Sequence, residues 1–157
     1  MSERKISDKS RTRCREIMTS RVSAATGEMT VQTVAKMLRD GDIGILPVVE
    51  NETNKLLGLV TDRDIVVRTV AEGRGIETPV SEIMTTTLYT AKPDDFAFEA
   101  IRTMGDRQVR RVPIVNDEGV LQGIVSMADV ALEMEDEREI AETLEEISSG
   151  AGFWKKT

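Results

Sequence analysis

The chain has no histidine and a single cysteine, Cys14, in 157 residues. Those gaps remove internal disulfides, zinc clusters of the Cys/His kind, and every triad or acid/base pair that relies on imidazole. Cys14 has no base near it in sequence and reads as an inert or half-buried thiol, so no enzyme activity is expected. Long apolar runs are missing too. The longest uninterrupted one is Ile45-Leu46-Pro47-Val48-Val49, far short of the ~20 residues a membrane helix needs. Residues 1–15 are polar and mixed in charge with no apolar core, so no export signal is expected and a cytoplasmic location is. Basic excess is also absent: the net charge is −7, and residues 133–157 hold eight of the 28 acids against Arg138, Lys155 and Lys156. The remaining 20 acids and 18 bases leave a near-neutral body with no electrostatic footprint for duplex DNA.

What is present is a repeat. Glu16-Ile17-Met18-Thr19 recurs 66 positions later as Glu82-Ile83-Met84-Thr85, and the same offset carries Ala25 onto Ala91, Asp40 onto Asp106, Pro47 onto Pro113 and Val49 onto Val115. One residue is then dropped, so that Gly58, Thr61 and Asp64 fall on Gly123, Ser126 and Asp129 at offset 65. Two copies of about 60 residues are too long and too few for a solenoid and read as one small subdomain built twice.

Each copy predicts the order β-α-β-β-α after a short opening helix. In the first, the helix lies around Glu16-Ile17-Met18, an extended piece covers Val22, Ser23 and Ala24, and a helix over residues 29–39 keeps Val31, Val34, Ala35 and Leu38 at helical spacing. Strands at residues 45–49 and 56–60 flank the polar turn Asn51-Glu52-Thr53-Asn54, and a helix after Thr61 carries Ile65, Val66 and Val70. In the second, the counterparts are Leu88-Tyr89-Thr90, a helix over 95–107, strands at 112–115 and 120–125, and a helix from Met127. Thr78-Pro79 reads as a helix entry with proline at the first helical position. The segments expected are therefore a polar start over 1–11, repeats at 12–72 and 78–132, a linker at 73–77, and an acidic helical extension over 133–157 with Ile140, Leu144 and Ile147 on one face.

The most specific local pattern is Gly, two apolar residues, Thr or Ser, two free positions, and Asp: Gly58 to Asp64, and Gly123 to Asp129. Thr61 with Asp64 and Ser126 with Asp129 form capping boxes where a strand passes into a helix. The same arrangement suits an anionic ligand carrying a diol, because a helix start offers N–H groups to phosphate and the carboxylate accepts from two ribose hydroxyls. Arg110-Arg111, ahead of Pro113, are either a solvated strand edge or forks for phosphate oxygens. Their counterparts in the first copy are Gly44 and Ile45, so the two copies are chemically unequal. Gly73-Arg74-Gly75 reads as a linker, and Phe153-Trp154-Lys155-Lys156 as a frayed terminus in preference to a docking tag or a membrane-surface contact.

The paired units, the strands Leu46-Pro47-Val48 and Val112-Pro113-Ile114, and the Gly-x-x-Thr/Ser-x-x-Asp endings resemble tandem cystathionine-β-synthase (CBS) domains, the two-copy arrangement called a Bateman module. Residues 42–47, 61–66 and 108–113 are similar to those of small stand-alone CBS-pair proteins, including the hypoxic-response type. The resemblance spans residues 12–132 and implies an α/β fold of two β-α-β-β-α repeats with pseudo-twofold symmetry. It implies two clefts for AMP, ADP, ATP or S-adenosylmethionine as a regulatory ligand, with no required cofactor. By position, the first cleft would join Thr61 and Asp64 to Tyr89, Thr90, Arg110 and Arg111. Asp64 would hold the ribose, Thr61 and the arginines the phosphates, and the 88–90 backbone the adenine. The second would join Ser126 and Asp129 to Val22, Ser23, Ala24, Gly44 and Ile45, with weaker phosphate affinity. The expected function is a non-catalytic sensor, a homodimer signalling to an effector protein; the rival is a ligand-free dimerisation scaffold working through the C-terminal helix.

Overall fold

The computed structural model of the chain describes residues 11–133 and Glu145. Two compact units form, and they do not coincide with the two sequence repeats. A central unit is drawn from Arg21–Leu88 and Glu118–Leu121, and a terminal unit from within Met1–Ser20, Tyr89–Asp117 and Gln122–Thr157.

In the central unit, β1 (Ala25–Thr26), α2 (Val31–Gly41), β2 (Ile45–Val49) and β3 (Leu56–Thr61) lead into α3 (Asp62–Ile65), a π-helical turn (Val66–Val70) and a 3-10 turn (Val80–Glu82); α1 belongs to the other unit. Thr30 caps α2, its hydroxyl accepting from the Thr33 N–H at 3.1 Å, and Val31, Val34 and Leu38 recur at helical spacing on the buried face. The sheet order is β1-β2-β3, with β1 parallel to β2 at Ala25–Val48 and β2 antiparallel to β3 at Leu46–Val60. β2 is the middle strand, which is why Leu46, Val48 and Val49 form an unbroken apolar run. Val80 and Ile83, from the start of the second repeat, complete this core beside Leu46, Val48 and Val60.

The terminal unit contains α1 (Cys14–Ile17), α4 (Ala97–Arg107), β4 (Arg111–Val115), all of β5 (Leu121–Ser126) but its first residue, and α5 (Met127–Glu133). Its core joins Cys14 and Ile17, from the start of the first repeat, to Ala100, Ile101, Met104, Ile114, Val125 and Val130. Each repeat has thus lent its opening segment to the other repeat's core. The contact that fixes the exchange is the same in both units. Thr85 exchanges two backbone bonds with Leu59, at 2.8 and 2.9 Å, and Thr19 exchanges two with Ile124, at 2.9 and 3.0 Å. A Cβ on Gly58 would stand 2.9 Å from the Thr85 carbonyl oxygen, and one on Gly123 would stand 2.7 Å from that of Thr19. The motif glycine is there to let the Met-Thr segment lie on the strand.

Several elements differ from the sequence expectation. Val22, Ser23 and Ala24 are unpaired, and pairing starts at Ala25; likewise Tyr89 and Thr90 precede the first bridge, Ala91 to Ile114. The small alanine is the residue that fits the core, 0% exposed at Ala25. Pro79 is the residue before the 3-10 turn rather than its first member. After Asp64 turns inward at the cap, Ile65 and Thr69 follow it onto the core face, and Val66 and Val70 point to solvent. The extension expected to reach Ile147 and residues 153–156 lie outside the described residues. Among the described residues no helix is long and apolar enough to cross a membrane.

Candidate functional site

The Thr/Ser-x-x-Asp turns form as expected, each at a strand-to-helix junction. In the central unit the Thr61 N–H donates to Asp64 Oδ2 at 3.0 Å, and the Asp64 N–H donates to Thr61 Oγ1 at 3.0 Å. In the terminal unit the Ser126 N–H and hydroxyl both donate to Asp129 Oδ2 at 2.9 Å, and the Asp129 N–H returns a bond to Ser126 Oγ at 3.2 Å. These are complete capping boxes.

Beyond the cap, the two carboxylates part company. Asp64 is 9% exposed, and the Thr85 hydroxyl lies 3.3 and 3.4 Å from its two oxygens. The Arg68 guanidinium stands one helical turn on, 3.9 Å from Asp64 Oδ1, and its Nη1 donates to the carbonyls of Ile83 and Met84 at 3.1 Å each. Oδ2 is committed to the backbone, while among the described residues Oδ1 has only long contacts and keeps acceptor capacity. Asp129 is half-buried, and among the described residues no cation lies within ion-pair reach of it.

The structure places Val22, Ser23, Ala24, Thr61 and Asp64 in the central unit, and Tyr89, Thr90, Arg110, Arg111, Ser126 and Asp129 in the terminal unit. Within the terminal unit it brings Arg110 to the capped turn of its own repeat, because β4 and β5 are neighbours in one sheet and the start of β4 lies beside the end of β5. The Met127 N–H donates to the Arg110 carbonyl at 3.0 Å. Gly44 holds the equivalent place in the central unit, accepting from the Asp62 N–H at 3.2 Å. Both Arg110 and Arg111 side chains are exposed. The Tyr89 ring already carries a cation, with the Arg107 guanidinium 4.9 Å from its centroid. Arg107 belongs in sequence with Arg63, Arg110 and Arg111 to a local basic patch suited to an anionic ligand, whereas sequence reasoning does not single out Arg68 and Thr85 as site residues. The i, i+4 spacing of Asp64 and Arg68 was the one available signal for them.

Cys14 is fully buried, and burial pushes its thiol up to about 11, with Asp95 and Glu99 adding to the effect. That is the opposite of an activated nucleophile.

Two homologous α/β repeats, each ending its sheet on a capped carboxylate, define a paired regulatory module. The chain belongs to the CBS domain family, whose family model matches residues 14–69 and 80–136. It is 40% identical over 118 residues to the CBS domain-containing protein YhcV of Bacillus subtilis, covering 75% of this chain and 82% of that protein. To hypoxic response protein 1 of Mycobacterium tuberculosis it is 33% identical over 121 residues, 76% of this chain and 83% of that one. A crystal structure of Hypoxic Response Protein I with two coordinated zinc ions superposes with TM-score 0.71 at 33% identity, covering 78% of this chain and 99% of that chain. The CBS domain pair of protein MJ0100, solved in complex with 5′-methylthioadenosine and S-adenosyl-L-methionine, superposes with TM-score 0.68 at 28% identity, covering 77% and 94%. CBS pairs are regulatory and generally non-catalytic. The chain has no histidine, and among the described residues no group of three or more His, Cys, Asp or Glu is placed to hold a metal ion.

Proposed function

We propose that this chain is a non-catalytic sensor that binds an adenosine-containing ligand, AMP, ADP, ATP or S-adenosylmethionine, and passes the signal on through self-association or an effector protein. Asp64 accepts from the ribose diol, with Thr61 beside it. Arg110 and Arg111 supply the phosphate-facing charge, and Tyr89 and Thr90 the adenine side. Ser126 and Asp129, with Val22, Ser23 and Ala24, serve a second, less anionic ligand. The observation that carries the reading is the complex of the MJ0100 pair with two adenosine compounds, together with the open acceptor capacity of Asp64 Oδ1. Self-association is supported by the exposed Val66, Val67 and Val70 on one helical stretch of the central unit.

The test is a thermal-unfolding scan of wild type and Asp64→Ala against AMP, ADP, ATP and S-adenosylmethionine, with GTP as control. A ligand at 100 times its Kd adds roughly 2.7 kcal/mol, a shift of several degrees for a chain of this size. The expected result is a shift with an adenosine compound that Asp64→Ala loses. No shift with any of them favours the dimerisation scaffold instead.

A further inference from the structure

We propose that Arg68 is the positioning residue that gives the Asp64 site its preference for ribose over deoxyribose. The inference rests on Asp64 being the diol acceptor. A carboxylate selects a cis-diol only if its plane is held still, since a freely turning one loses in ordering what it gains in the second hydrogen bond. Here Oδ2 is pinned by the Thr61 N–H at 3.0 Å. The guanidinium of Arg68 is itself fixed, its Nη1 bound to the Ile83 and Met84 carbonyls at 3.1 Å, and its Nε faces Oδ1 at 3.9 Å. Thr85 braces the same carboxylate from the neighbouring segment. Ile83 is fully buried, so the half-exposed Arg68 side chain is tied to a core residue through that carbonyl. The position of the second repeat that aligns with Arg68 at offset 65 is Glu133, an acid in place of the base.

The experiment measures Kd by calorimetry for AMP and 5′-methylthioadenosine, each paired with its 2′-deoxy counterpart, on wild type, Asp64→Asn, Arg68→Met, Arg68→Lys and Thr85→Val. Arg68→Met keeps most of the stem and removes the fork. The expected result is a ribose preference in wild type that collapses in Asp64→Asn and falls about tenfold in Arg68→Met, the size of one oriented hydrogen bond. The loss should lie on the ribose compound, with 2′-deoxy binding unchanged. Arg68→Lys should restore part of the preference, and Thr85→Val, which leaves the backbone bonds in place, should lower it independently. A merely structural role for Arg68 would weaken both members of each pair alike. If Asp64→Asn abolishes the preference while Arg68→Met and Thr85→Val keep it, Arg68 has no positioning role and the diol assignment stands. If Asp64→Asn also leaves the preference intact, or wild type shows none, the diol assignment fails and this inference with it.

Discussion

The two carboxylates at the ends of the two repeats occupy the same place in the fold and have different surroundings. Both close a capping box of the same design. Asp64 then gains a threonine hydroxyl on both oxygens and an arginine anchored to the core, whereas Asp129 has its serine and, among the described residues, no cation. The reverse holds where the strand begins, where the repeat with Asp129 carries Arg110 and Arg111 and the repeat with Asp64 carries Gly44 and Ile45. The same scaffold thus occurs twice, with the Arg68 and Thr85 contacts on one copy and the exposed arginine pair on the other. Two equal caps have become two unequal acceptors.

The largest test of this comparison concerns how each unit is closed. Deleting residues 1–19 removes Cys14, Ile17 and the Thr19 bridge from the terminal unit and should cost it about 3 kcal/mol or more, from the lost burial alone. Amide hydrogen exchange should then show protection lost at Met104 and Ile124 and kept at Val48 and Val60. Equal loss in both places would break the division into units. Next in size are Gly58→Ala and Gly123→Ala, each of which drives a methyl group against a backbone oxygen and a methionine sulfur. Each should destabilise by about 1–3 kcal/mol in denaturant titrations. Tolerance of either would mean that the Met-Thr segment does not lie on that strand.

Asp64→Ala and Asp129→Ala should each lose a cap, about 0.5–2 kcal/mol. The Asp64 variant is expected to cost more because it also leaves Arg68 without its carboxylate, and equal midpoint shifts would remove the asymmetry argued here. Thr69 offers a smaller test in the opposite direction. Its hydroxyl is buried and among the described residues has no hydrogen-bond partner, so the isosteric Thr69→Val should raise stability by about 1 kcal/mol. A destabilised Thr69→Val would reveal a partner for that hydroxyl.

The smallest effect is the pH response of Cys14. Its folded value lies near 11, above the unfolded value of 9.0, so the folded state holds the proton more tightly. The resulting stability is complete below pH 9 and is lost as pH rises through about 11. Alkylation by iodoacetamide at pH 8 should be slow in the native chain and fast in denaturant; rapid native labelling would contradict the burial.

Much of this was legible in the residues. The 66-residue echo, the Gly-x-x-Thr/Ser-x-x-Asp endings and the capping boxes are patterns within short windows, and all of them stand in the structure. Extended propensity over Val22 to Ala24 and Leu88 to Thr90 does not say where a strand's partner begins, and in the structure it begins at Ala25 and Ala91. Val66 and Val70 were read with Ile65 as a helix's apolar residues, but the inward turn of Asp64 set the face one position away.

The sequence by itself determined the repeat, the order of its elements, the polar caps and the inequality of Gly44-Ile45 with Arg110-Arg111, because these are properties of neighbouring residues and of their recurrence. Only the tertiary structure decided that each repeat closes the other's core, and that Arg68 and Thr85 meet at Asp64. Those contacts join residues up to more than 100 positions apart, and the ones that close each core and fix Arg68 run through backbone groups. Backbone groups are the same at every residue, so no side-chain pattern announces which of them will meet.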